Sequence, residues 1–197
     1  MNRRDVIVSS AWLLGYGLTS ASLSTLFLSC QAEAKLAWQP LFLTKNQAAT
    51  LAEVTETILP KTDTPGAKEL GVPQFIDKML KEVLGEGDQA AFVAGLEQIE
   101  ADSKKQHGKA FAECSLEERS ALLLAMDKAA ATQPPSVWGI TLAPPQPNDF
   151  FRNLKSLTLF GYYTSEEVCT KILNYDPVPG VYIACMPVAE VGNAWSE

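Results

Sequence analysis

Phe150-Phe-Arg-Asn-Leu-Lys-Ser-Leu-Thr-Leu-Phe-Gly-Tyr-Tyr163 decides how this chain folds. Asn148 or Asp149 stands ready to cap it, so it reads as a helix. At 100° per residue Phe150, Phe151, Leu154 and Leu157 share one face, while Leu159, Phe160, Tyr162 and Tyr163 spread around most of the remaining circumference. A helix apolar on nearly all sides is either buried at the centre of a bundle or covered by something else. The first reading makes the segment a core helix under a proline-rich arm. The second makes it a docking element, with tyrosines at its edge as partner interfaces favour.

Working outward, the same helical logic recurs. Thr44 with Gln47 forms a capping box for a helix to about Leu59, with Ala48, Leu51, Thr55 and Ile58 along one stripe. In the loop that follows, Pro65-Gly66 suits the central positions of a type II turn, and Asp63 is placed to bond the backbone ahead of it. Pro73 sits near the start of a second helix that buries Phe75, Ile76, Met79, Leu80 and Val83 and ends at Gly85. A third helix fits Asp88 to Lys105, with Phe92, Leu96 and Ile99 inward and His107-Gly108 closing it. Ser115 with Glu118 opens a fourth through Leu122, Leu123, Ala125 and Met126. Thr132 to Pro147 holds five prolines and reads as an extended connector. Ser165 with Glu166 and Glu167 suggests a short sixth helix, and the tail from Tyr175 through Cys185 to Trp195 reads as extended. The expectation is an all-α fold: an irregular bundle of about five or six helices with long proline-rich arms.

The N-terminus is an address. Arg3-Arg4, a spacer and then a diluted apolar run to Ser29 match the twin-arginine export pattern. Phe27-Leu-Ser-Cys30 resembles a lipobox, which makes Cys30 a candidate for lipidation. Retention of Val6–Ser29 as a membrane anchor and simple cleavage near Ala32-Glu-Ala34 are the alternatives. The organisation expected is therefore a signal segment over 1–29, a spacer over 30–43 and one helical domain over 44–197.

Chemistry is sparse. A formal charge of −7 argues against nucleic-acid binding. The single histidine, His107, fits a helix C-terminus, where the dipole favours it. Asp63, Glu69 and Asp77 read as a turn residue and helix-end residues rather than a catalytic carboxylate cluster. Of the four cysteines, Cys30, Cys114, Cys169 and Cys185, none stands in a CxxC pair, so neither a zinc site nor covalent haem is expected. Cys169 and Cys185 are candidates for a disulfide in an oxidising compartment, with Cys114 an alternative partner or a buried thiol. No catalytic, cofactor-binding or metal-binding residue is assigned in this chain.

Four blocks then become familiar: Ile58-Leu-Pro-Lys-Thr-Asp-Thr-Pro-Gly-Ala67, Gly71-Val-Pro-Gln-Phe-Ile-Asp77, Phe150 through Glu166, and Tyr175-Asp-Pro-Val-Pro-Gly-Val-Tyr182 with Cys185-Met-Pro187. With Arg3-Arg4 they make the chain resemble the small subunit, "subunit 3", of bacterial membrane-bound gluconate 2-dehydrogenase and related flavin-dependent sugar dehydrogenases. The family pattern leaves Cys169 unexplained. The resemblance implies a heterooligomer on the periplasmic side of the membrane, held there through its partner or a lipid anchor. A large subunit carries FAD, a cytochrome c subunit carries haem in many systems, and the small subunit escorts the large one through the twin-arginine translocase. Candidate partner contacts are Phe150, Phe151, Leu159, Phe160, Tyr162, Tyr163, Tyr175 and Tyr182. Phe150–Tyr163 or the Pro134–Pro147 arm is expected to expose more apolar area than a monomer normally does. The competing expectation is a self-sufficient periplasmic lipoprotein with a concave ligand pocket.

Overall fold

Thr44 starts the first helix, α1 (Lys45–Ile58), with a reciprocal pair: its hydroxyl accepts from Gln47 N–H at 3.4 Å, and the Gln47 side-chain oxygen accepts from Thr44 N–H at 3.0 Å. Two N–H groups without intrahelical partners are thereby satisfied. The structure is a computed structural model that describes residues 36, 38–130, 149–176, 178, 180 and 184–195, and the backbone of 136–137, 140–141 and 196. The helices after α1 are α2 (Val72–Glu82), α3 (Glu86–His107), a 3-10 turn (Phe111–Glu113), α4 (Leu116–Ala129), α5 (Phe150–Tyr163), a π-helix (Val168–Ile172) and the single-turn α6 (Val188–Val191). This is an all-α bundle.

The strands are two residues long. β1 (Ser136–Val137) pairs antiparallel with β2 (Ile140–Thr141), so the connector expected to be merely extended folds back on itself there. β3 (Asn174–Tyr175) pairs parallel with β4 (Trp195–Ser196). The tail is therefore not simply extended. It turns through α6 and returns to the end of the π-helix. That π-helix stands where the short sixth helix was expected.

Residues from every long helix meet in one core: Leu51 and Val54 of α1, Ile76 and Leu80 of α2, Phe92, Leu96 and Ile99 of α3, Leu122 and Leu123 of α4, and Leu154 of α5, with Phe111 and Val168 from the short elements. Burial of each such side chain stabilises the fold by about 1.5–3 kcal/mol before entropy is subtracted. α1 touches α2, α3, α4, α5 and the 3-10 turn, which is why it buries Thr50, Ala52 and Val54 beyond the expected stripe. α2 and α5 cross closely because Gly161 has no side chain: an added Cβ would lie 2.7 Å from the Phe75 ring. Gly161→Ala should therefore lower the unfolding free energy by about 1–3 kcal/mol through overpacking, read from the urea midpoint.

Four local expectations are corrected. α2 stops at Glu82, with Val83 as its C-cap and 66% exposed, and Gly85 is instead the N-cap of α3. Ala125 faces solvent rather than the core. Gly66 is not in the left-handed conformation that a type II turn demands, since Gly71, Gly108 and Gly192 are the glycines there among the described residues. The loop is held from α1 instead of by Asp63: the Glu56 carboxylate accepts from Lys61 N–H at 3.1 Å and Lys68 N–H at 2.9 Å, and its oxygens fill the space a Gly66 side chain would need.

The fourth concerns Asp77, which is not at a helix end. It lies within α2, fully buried, and accepts from three consecutive backbone N–H groups: Leu41 at 2.6 Å, Phe42 at 3.2 Å and Leu43 at 2.9 Å. The carboxylate fastens the segment preceding α1 onto α2.

The second capping box, Ser115 with Glu118, forms as expected. Glu118 is held below the usual carboxylate pKa of 4.5, chiefly because Ser115 N–H donates to it, while partial burial opposes this and the Lys109 ammonium assists. A carboxylate whose folded pKa is depressed contributes stability above its unfolded pKa and loses it as pH falls through the folded value. Glu118→Gln should thus flatten the decline in urea midpoint on acidification below about pH 4.5.

Candidate partner interface

The two rims of α5 have different fates. Phe151 and Tyr162 are buried, and the Tyr162 hydroxyl donates to Pro65 O at 3.0 Å, tying α5 to the loop after α1. Phe150 stands edge-on to Phe92 at 5.4 Å and lies over Gly95, whose missing side chain admits the ring. Two candidates are corrected, Phe151 and Tyr162, which are spent on the chain's own core, while Phe150 is half-buried against it. Leu159 is half-buried. Phe160 and Tyr163 remain outward, 55% and 51% exposed.

The two exposed rings are not loose. Phe160 leans on Phe75 at 5.8 Å with a 51° tilt, and Tyr163 meets Tyr162 edge to face at 5.4 Å. Beyond them the π-helix carries Cys169, whose thiol donates to Tyr163 O at 2.9 Å. Tyr175 follows, 54% exposed. The C-terminal end of α5 thus presents aromatic edges fixed by packing beneath them, the arrangement that lets a ring bind at low entropic cost.

The anticipated Cys169–Cys185 pairing is not formed. Neither cysteine is in a disulfide; Cys185 is exposed, and the Cys169 thiol is turned back to the α5 terminus instead. Cys114 is a buried thiol 3.1 Å from Ser103 Oγ. His107 is the last residue of α3, as expected, with Gly108 as the left-handed cap and Glu118 3.7 Å from its Nδ1. Arg3, Arg4, Cys30, Tyr182 and the Pro134–Pro147 arm fall outside the residues whose side chains are described.

Among the described residues, no group of three His, Cys, Asp or Glu side chains is placed to hold a metal. A shallow depression of about 260 Å³ lies between α3, α4 and the start of α5, lined by Gly95, Gln98, Met126, Ala129, Ala130, Asp149, Phe150 and Phe151. Asp149 is already engaged as the α5 cap, accepting from Phe151 and Arg152 N–H. The remainder lacks the convergent polar groups of a small-molecule site. No described helix is long and apolar enough to cross a membrane.

Sequence reasoning missed several exposed apolar side chains, among them Leu116 and Leu124 on α4, Val188 on α6 and Trp195 on β4, 51% exposed.

A family model described as gluconate 2-dehydrogenase subunit 3 matches residues 45–180, from the first residue of α1 past Tyr175. The chain belongs to this family. No curated protein and no solved structure gives a significant match. Membership in the gluconate 2-dehydrogenase subunit 3 family makes the chain an accessory subunit of a dehydrogenase complex, associated with a catalytic dehydrogenase subunit. Phe160, Tyr163 and Tyr175 all lie inside the matched span, while Val188–Ser196 lies beyond it.

Proposed function

We propose that this chain is the non-catalytic escort of an FAD-dependent gluconate or sugar dehydrogenase, which it binds, stabilises and carries to the periplasm by the twin-arginine route. The observation that carries the reading is the pair of packed, half-exposed rings Phe160 and Tyr163 at the end of α5, within the span shared with the family. Docking covers their outward edges and leaves the chain's own core undisturbed. In this reading the flavin belongs to the catalytic subunit and haem to a cytochrome subunit where one is present. Arg3-Arg4 addresses the pair to the translocase, because a flavoprotein folds around its cofactor before crossing. Lipidation of Cys30, or retention of the apolar segment before it, then keeps the complex on the periplasmic face of the membrane.

The test is to co-express the chain with the catalytic subunit and fractionate the cells. Flavin and dehydrogenase activity are expected in the periplasmic and membrane fractions and should fall at least tenfold there when Arg3-Arg4 become Lys-Lys, an address-level effect independent of folding. Periplasmic flavoprotein unaffected by that change, or by deletion of this chain, contradicts the escort role.

A further inference from the structure

Leu41 and Phe42 lie on the extended strap that precedes α1, with their side chains outward, 55% and 37% exposed. The backbone beneath them is unlike that of an ordinary surface loop. Pro40 has no N–H to satisfy, and the N–H groups of Leu41, Phe42 and Leu43 all donate to the buried Asp77 carboxylate. Four consecutive residues therefore carry no unpaired donor. Leu43 turns into the core, and Leu36 and Trp38 are half-buried against it, so the strap is held on the bundle from Leu36 onward.

What covers the two outward side chains follows from the covalent geometry of the chain. Five residues, 31–35, separate Cys30 from Leu36. Fully extended, those six Cα steps reach about 20 Å, whereas a bundle of roughly 160 residues is about 40 Å across. A membrane anchor that sits on Cys30, or ends at Ser29, therefore cannot turn the far side of the bundle to the bilayer. It draws the strap to the bilayer surface. An extended segment at the lipid interface must hide its backbone donors, because an unpaired N–H there is costly. Asp77 meets that demand at the three residues where it arises. The formal charge of −7 supplies no attraction to anionic headgroups, which leaves apolar contact as the interaction.

We propose that the strap is a bilayer-contact element: Leu41 and Phe42 enter the periplasmic interface of the membrane and fix how the anchored bundle lies on it. The inference rests on the membrane-anchored form of the escort reading and adds an orientation to it. Two side chains are too few to recruit the chain from solution. The short tether supplies the high local concentration at which they act.

The full-length chain is extracted from cell membranes and reconstituted in phosphatidylcholine vesicles with brominated acyl chains. Phe42→Trp is compared with Leu124→Trp, a substitution at an exposed position of α4, each read as the difference from the unaltered chain. The added indole at position 42 is expected to emit further to the blue and to be quenched at least about twofold more than the one at position 124, as a tryptophan at the lipid interface is. Leu41→Glu in the same chain should return the quenching to the level of Leu124→Trp. Circular dichroism of each variant checks that the bundle is intact. Vesicle-bound chain in which position 42 is quenched no more than position 124 overturns the contact and leaves the anchor standing. Chain absent from the membrane fraction, with a mass that shows cleavage beyond Cys30, overturns the contact and the anchor together.

Discussion

Asp77→Ala should lower the unfolding free energy by about 3 kcal/mol, or about 10 °C in Tm for a domain of this size. The carboxylate is fully buried, and three N–H groups converge on it. Hydrogen bonds to a charged acceptor contribute about 1.5–3 kcal/mol each. Simple addition overshoots here, because Leu41 and Phe42 lie near the surface and their N–H groups can turn to water once released. Leu43 cannot do so cheaply, being part of the core. Asp77→Asn keeps one acceptor oxygen and should fall between the two. The local signature is sharper than the global one: in hydrogen exchange, the amides of Leu41, Phe42 and Leu43 should lose protection by orders of magnitude while α3 and α5 keep theirs. Equal loss throughout the bundle would mean that Asp77 supports the core rather than fastening this segment.

Replacing both Phe160 and Tyr163 by alanine should weaken binding to the catalytic subunit about a hundredfold while moving the Tm of the isolated chain by only a few degrees. Each ring already has half its surface in water, so its removal from the free chain sacrifices little buried area. Within a complex the same rings would be desolvated and rigid, the properties of residues that dominate interfaces. Phe151→Ala is the control with the opposite pattern. That side chain is buried, and its loss should cost about 3–5 kcal/mol of stability, with any effect on binding following from unfolding.

These contrasts show which parts of the molecule local sequence logic reaches. Thr44-Gln47, Ser115-Glu118, Asp149 and His107-Gly108 act within a turn of their own helices, so their spacing alone located the ends of α1, α4, α5 and α3. Asp77 and Glu56 escaped because their partners lie in other segments: Asp77 serves residues more than thirty positions upstream, and Glu56 serves a loop whose Pro-Gly dipeptide pointed to a self-contained turn. Helical periodicity likewise showed that α5 is apolar nearly all round, but not which neighbours claim which face. Gly161 and Gly95 help decide that, by letting Phe75 and Phe150 close in, while the Phe160 and Tyr163 rings keep outward edges. The return of the tail to the end of the π-helix depends on Asn174 and Asn193, about twenty residues apart, a spacing with no local signature.

The most direct test is the visible spectrum of a tagged, full-length chain purified from cells that also make the catalytic subunit. Flavin absorbance is expected to travel with the tag at a fixed ratio to protein and to be lost for Phe160→Ala/Tyr163→Ala, with the variant's circular dichroism unchanged. A colourless chain, or flavin retained undiminished by the double variant, would contradict docking through the end of α5.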